Sequence, residues 1–259
     1  MSSINEKLTR IDNSISSLKS TLNISQNAEI EAIEKKIIPD VGFVIKEYDK
    51  NGYPTEIKLI GMTNLPDYAF GAHSTGDNYL NLLTKNLKKV ILSDEITTVP
   101  YACFQNITTL EEVDFRNVTA INKAVFYKCS NLKIKTLPDS VHTILGGAFR
   151  YSGITQLSMN GIVILENNGM SHGPFGDCSN LKAIWIGDKL QTISVWIFTN
   201  CTNLNKIFIN LPRTKVETLS GYSKAFCDDA NKINCIVCND DPGFISKEEF
   251  DTIDWSSIE

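Results

Sequence analysis

The sequence predicts an α/β repeat: a solenoid of short stacked coils with a parallel β ladder, preceded by a heptad helix and a β-hairpin. Three observations predict it. First, a phenylalanine returns at Phe70, Phe104, Phe126, Phe149, Phe175, Phe198 and Phe226, spaced 34, 22, 23, 26, 23 and 28 residues apart, a base period near 23 with inserts in three intervals. Second, six of these anchors follow an apolar pair three residues apart: Ile96 and Val99, Val118 and Ile121, Val141 and Ile144, Ile162 and Leu165, Leu190 and Ile193, Val216 and Leu219. Third, a Leu-x-x-Ile-x-Ile run recurs behind the anchors, as in Leu110-Val113-Phe115, Ile154-Leu157-Met159, Leu181-Ile184-Ile186, Leu204-Ile207-Ile209 and Ile233-Ile236-Cys238, after an opening Leu87-Val90-Leu92. A unit of 23 residues cannot bury its apolar side alone. Copies must therefore stack, each lending a strand to a ladder while the Phe and Leu positions line one long core.

The first element, residues 1–38, is a predicted helical stem. Ile4, Leu8, Ile11, Ile15, Leu18 and Leu22 follow one another at steps of four and three with polar residues nearly everywhere between. So narrow a seam suits a coiled coil better than a helix lying on a globular core. Leu8, Ile15 and Leu22 fall at a, and Ile4, Ile11 and Leu18 at d, an arrangement that favours trimers or larger assemblies over dimers. The alternative is that the helix packs on its own solenoid. The seam breaks at Ser25 and resumes out of phase at Ile30, Ile33 and Ile37 before Pro39 ends the element.

Residues 39–61 form the lead-in hairpin. Two β-branched, aromatic-rich runs flank Asp49, Lys50, Asn51 and Gly52; the Asn-Gly pair favours a turn with positive φ, and Pro54 stands where a second strand can begin. The solenoid then occupies residues 62–238. Lys135 is its anomaly, falling where other copies place an apolar residue. A bulge that hands the slot to Ile134 is favoured over a buried ammonium, which would cost several kcal/mol. Residues 239–259 close the chain as an acidic cap. Ser246 and Glu249 form a capping box for a short helix bearing Phe250 and Ile253, followed by Trp255, a segment expected to hide the open core of the last repeat.

Composition limits the function. With 259 residues, 42% hydrophobic and a net charge of −5, the chain can bury a core without disulfide or metal staples. The last 21 residues carry seven acids against Lys247, so no basic field remains for nucleic acid, and no apolar run is long enough for membrane insertion. No nucleophile elbow, zinc-protease helix, phosphate loop or dinucleotide fingerprint occurs, so no catalytic residue is assigned and no enzyme is expected. Cys235 and Cys238 form a C-x-x-C, but a structural zinc needs four ligands, and Cys238 fills the last apolar slot of its repeat; no metal and no cofactor is expected. Cys129, Cys178 and Cys201, each three residues after an anchor, should align as a buried ladder of thiols rather than as disulfides.

What remains is surface. Residues alternating with the buried ones along the ladder point away from the core, and in stacking order they change from polar, as at Lys89, Glu112 and Asp114, to Trp185, Phe208 and Val237 in one column. That apolar stripe, with Lys206 beside it and Ile134 at the corresponding outward position, is the candidate ligand site. Its competing reading is a face covered by another copy or by the insert at residues 210–225. The inserts at 71–86 and 166–173 give a second candidate surface.

The stretches AVFYKCSNLKIKTLPDSVHTI (124–144), PFGDCSNLKAIWIGDKLQTI (174–193) and IFTNCTNLNKIFI (197–209) resemble the BspA-like class of bacterial leucine-rich repeats over roughly residues 62–238. The resemblance implies a right-handed leucine-rich-repeat solenoid and a surface adhesin or binder of host factors. The hairpin resembles the lead-in of related repeat proteins from gut Firmicutes and their phages, and the heptad stem resembles the trimerising stems of phage tail fibres. The expectation is a non-catalytic binding module for a protein or glycan receptor, displayed as a homo-oligomer. The alternative is a structural or assembly protein of a virion or injection particle with no external ligand. Because the first twenty residues hold no hydrophobic leader, a phage tail or a cell surface reached by a non-classical route is the expected location, and otherwise the cytoplasm.

Overall fold

The structure, a computed structural model, describes residues 42–71, 81–225 and 235–258. The heptad positions Ile4, Leu8, Ile11, Ile15, Leu18 and Leu22 lie outside the described residues, as do Phe226, Cys227 and Ile233 of the last repeat.

Strands β1 (Phe43–Tyr48) and β2 (Pro54–Leu59) pair antiparallel. Their turn is held by Asp49, whose Oδ1 accepts from the backbone N–H groups of Asn51 at 2.8 Å and Tyr53 at 2.9 Å, while Gly52 takes φ +80°. Those bonds to the ionised carboxylate hold the Asp49 carboxyl below its ordinary pKa, Tyr53 contributing most. The hairpin is also the first rung of the solenoid, because β2 runs parallel to β3 (Lys89–Ile91) with Ile57 opposite Val90. A short helix, α1 (Asn81–Thr84), precedes β3, and β5 (Glu112–Asp114) extends the sheet.

A second parallel sheet comprises β8 (Gln156–Met159), β10 (Ala183–Ile186), β12 (Lys206–Ile209) and β13 (Ile236–Cys238). Its register aligns Leu157, Ile184, Ile207 and Ile236, the positions the repeat alignment makes equivalent. On this side the coil between the two sheets forms no strand; a bridge pairs Thr136 with Ser158, and Lys133 N donates to Glu111 O at 2.9 Å. This is the coil of Lys135. Ile134 enters the core and Lys135 is exposed, so the irregular backbone accommodates the charge by releasing it from the ladder.

Across each coil from this ladder stands another of five two-residue strands: β4 (Thr98–Val99), β6 (Ala120–Ile121), β7 (Thr143–Ile144), β9 (Ile164–Leu165) and β11 (Thr192–Ile193). Each of these strands contains the second member of an apolar pair that precedes an anchor. Two residues per copy are too few to reveal a strand by alternation.

Between the ladders the anchor rings form one column. Phe70, Phe104, Phe126, Phe149, Phe175 and Phe198 stack successively with centroids 5.2–5.7 Å apart, and all are buried. Coils this close leave no room for side chains at some crossings. A Cβ at Gly153 would overlap the carbonyl oxygen of Ser130, and one at Gly187 that of Asn160, so glycine there permits the stacking itself.

After β12 the insert turns into α2 (Arg213–Val216) and α3 (Tyr222–Ala225). The chain ends in α4 (Lys247–Thr252), capped by Ser246 Oγ accepting from Glu249 N at 3.2 Å, and a 3-10 turn at Trp255–Ser257. The expected position of this segment needs correction. Rather than closing the end of the stack, it lies across the outer face of the second sheet, where Phe250 and Trp255 pack on Phe208.

Candidate binding surfaces

That placement removes the apolar stripe as an open ligand site. Trp185 is 3% exposed and Phe208 4%, and Val237 packs at the margin of the same cluster. The column was predicted in correct register, since Trp185 lies opposite Phe208 and Phe208 opposite Val237. Its cover comes from Phe244, Ile245, Phe250, Ile253 and Trp255, not from residues 210–225. Trp185 Nε1 donates to Ile245 O at 3.1 Å, the backbone N–H of Trp255 donates to Gln156 Oε1 at 3.3 Å, and Lys182 Nζ binds the carbonyls of Ser256 and Ile258. Burying two such aromatic side chains stabilises the chain by roughly 1.5–3 kcal/mol each, which explains why a segment so distant in sequence settles there. Ile134 is likewise a core residue, so of the proposed ligand-binding set only Lys206 is exposed.

The thiols have structural surroundings. Cys129, Cys178 and Cys201 are buried and donate to the carbonyls of Phe104, Phe149 and Phe175 at 3.2, 2.9 and 2.9 Å, each bonding the anchor residue of the preceding coil. Burial pushes the thiols of Cys103 and Cys129 well above their ordinary range, which suppresses the nucleophilic thiolate. Cys238, Asp240 and Asp241 come close enough to suggest a cation site. Their oxygens are already engaged: Asp241 pairs with the Arg213 guanidinium and accepts from Cys238 N at 2.8 Å, and Asp240 accepts from Arg213 N at 2.8 Å. The group is a clip joining α2 to the loop after β13. Cys235, the other member of the C-x-x-C, lies outside this group.

A different surface emerges where the coils turn around each anchor Phe. The second residue after the anchor is Asn106, Lys128, Tyr151, Asp177 or Asn200 in successive coils, all in left-handed backbone with φ between 57° and 65°. Asn and Asp tolerate that conformation comparatively well, but Lys and Tyr adopt it at a conformational cost. The second residue before the anchor repeats the contrast. Ala102 and Ala124 take φ 53° and 55° and Gly147 takes 67°, yet Tyr68 occupies the slot at 57° and Trp196 at 63°, the latter 41% exposed.

Lys128 and Tyr151 belong to one cluster of side chains. Tyr127 and Tyr151 meet edge to face at 5.7 Å, the Arg150 guanidinium lies 4.9 Å from the Tyr151 ring centroid, and Lys128 Nζ lies 5.3 Å from that of Tyr127. Arg150 Nε donates to Asp177 Oδ2 at 2.6 Å, while Asp177 Oδ1 accepts from Asn200 Nδ2 at 2.8 Å. Partial burial raises the Asp177 pKa, but the bonds from Asn200 and Arg150 outweigh it and hold the carboxyl below its ordinary value. His172 of the second insert contributes Nε2 at 3.8 Å from the same carboxylate. Fixed charges, amides and half-open rings here can stack against and hydrogen-bond a ligand. Alignment of the copies exposes these columns in the sequence. They escape notice because alternation and motif rules describe strands and catalytic sites, not the turn slots of a repeat.

The architecture is that of a leucine-rich-repeat solenoid with charged, amide and aromatic side chains along its turns. The profile of the BspA type leucine rich repeat region matches six copies over residues 78–168 and 168–239, and the chain belongs to that family. Among solved structures it is similar to a leucine rich cell surface protein from Faecalibacterium prausnitzii A2-165, with 21% identity, 70% of this chain and 42% of that chain covered, and a TM-score of 0.43. It is also similar to the pneumococcal vaccine antigen PcpA, with 18% identity, 74% and 43% coverage and a TM-score of 0.46. A leucine-rich repeat protein from Bacteroides ovatus ATCC 8483 matches at 18% identity, 51% and 42% coverage and a TM-score of 0.36. The chain thus spans less than half the length of each of these proteins. No curated protein matches it. Among the described residues, no helix is long and apolar enough to cross a membrane.

Proposed function

We propose that the protein is a non-catalytic binding module that recognises a receptor on another cell or surface through the turn edge bearing Tyr127, Tyr151 and Trp196. The single observation behind this reading is the placement of Tyr151 and Trp196. Both are exposed, and both stand in left-handed slots that the other described copies fill mostly with Asn, Asp, Ala or Gly, Lys128 and Tyr68 being the remaining exceptions. Large aromatic side chains held at a backbone cost on a solvent-facing edge leave much of their surface open, and aromatic residues are enriched in binding hot spots. Adhesion is the finer form of the proposal, with display on a cell or particle surface. Oligomerisation through residues 4–22, trimeric in the favoured form, would multiply weak contacts by avidity.

Binding of the fluorescently labelled chain to a panel of bacterial and animal cells tests the reading. The paired substitutions Tyr151→Asn and Trp196→Ala copy residues used at equivalent slots, so melting should change by less than about 3 °C while cell binding is lost. Retained binding by this variant would move the recognition site elsewhere.

A further inference from the structure

Resting on that reading of the turn edge, we propose that its ligand is a carboxylate-bearing glycan, with a pyranose ring against Tyr151 and its acid group met by Lys128 and Arg150.

Peptide recognition in an extended form needs a sheet edge with unpaired backbone groups, and helix recognition needs an apolar groove. The turn edge offers neither. Its backbone is consumed by bonds between coils: Lys128 N donates to Arg150 O at 2.9 Å, Tyr151 N to Gly176 O at 3.3 Å, and Asp177 N to Thr199 O at 2.7 Å. Its apolar groups are flat rings rather than a groove, and they stand among hydrogen-bonding groups. A sugar presents the complementary surface, with C–H groups over one face and hydroxyls around the rim. The electron-rich face of an aromatic ring attracts the former, while fixed donors and acceptors suit the latter.

The charge of the ligand follows from two observations. Lys128 occupies a slot where Asn106 and Asn200 stand in other coils, so its ammonium replaces a neutral amide at the centre of the patch. Its Nζ lies 5.3 Å from the Tyr127 ring centroid on the exposed turn edge, where a carboxylate seated beside the rings can reach it. Arg150 is oriented by Asp177 and by Tyr151 Oη, which accepts from its Nη2 at 3.4 Å. That leaves a positioned guanidinium edge for bidentate contact with an acid. The chain as a whole carries −5, so the excess of Lys128 and Arg150 over Asp177 beside the tyrosine rings is a local feature rather than a reflection of composition.

The experiment uses the full chain on an array of sialylated and uronate-containing oligosaccharides, each printed beside its carboxyl-reduced counterpart. The two acid families separate the biological sources of the same chemistry. The expected result is binding to at least one acidic oligosaccharide, weakened about tenfold by carboxyl reduction and about tenfold by Lys128→Asn, consistent with loss of one charge-assisted contact. Tyr151→Asn should abolish both forms of binding, with unchanged circular dichroism. Equal binding to acidic and reduced glycans would overturn the charge assignment, and acidic binding that survives Tyr151→Asn would overturn the site. Failure on every acidic glycan by a chain that still binds cells through Tyr151 and Trp196 would overturn the ligand class while leaving the binding function standing. Failure on glycans and cells alike would remove both.

Discussion

At the scale of single residues, the repeat assigns each position one of two tasks, and the cost of change differs accordingly. Phe149 is fully buried between Phe126 and Phe175 in the ring column. Phe149→Ala should cost about 3–5 kcal/mol by urea denaturation, because neighbouring coils cannot collapse into the void without breaking their ladders. Trp185→Ser and Phe208→Ser belong to the same class now that both lie under the C-terminal segment. They should lower stability markedly instead of acting on binding alone. Turn residues behave oppositely, since Tyr151 can take the residue used elsewhere in its slot at little cost. The buried anchors were legible from spacing alone. The turn residues were equally present in the alignment, but their backbone conformation, which distinguishes a tolerated residue from a costly one, appears only in three dimensions.

Among elements, the C-terminal segment and the clip before it have consequences of their own. Deleting residues 244–259 should leave the ring column intact but uncover Trp185 and Phe208. The expected outcome is a folded chain with a lowered melting temperature, increased binding of an apolar dye and a tendency to associate. The clip responds to pH. Pairing with Arg213, reinforced by the N–H of Cys238, holds the Asp241 carboxyl below its ordinary value, so Asp241 stabilises the fold when ionised. This contribution is complete above about pH 5 and declines as pH falls through the unfolded pKa of roughly 3.9 and on through the lower folded one. Thermal melts from pH 7 to pH 3 should show a shallower acid decline for Asp241→Asn than for the unmodified chain; identical slopes would mean the clip carries no linkage. The helix of the C-terminal segment was legible because its capping box is local. Its docking was not, since Trp185 and Ile245 meet across 60 residues of chain.

For the whole molecule, the described residues form a stack whose first rung is the hairpin and whose outer sheet is polar over one half and covered over the other. The proposed recognition edge and the heptad region are separate in sequence, so binding and assembly can be tested separately. Light scattering of the full chain should give a trimer mass, and Ile11→Asn with Ile15→Asn should reduce it to a monomer while leaving the melting of the solenoid nearly unchanged. A monomeric unmodified chain would remove avidity from the proposal.

The sequence by itself determined the period, the core column, the ladder register and the absence of recognisable catalytic motifs, because stacked copies satisfy the same local physics again and again. Only the tertiary structure decided which outward surface remains open. That depends on where a single non-repeating segment lands, and its landing is governed by apolar complementarity between residues far apart in the chain.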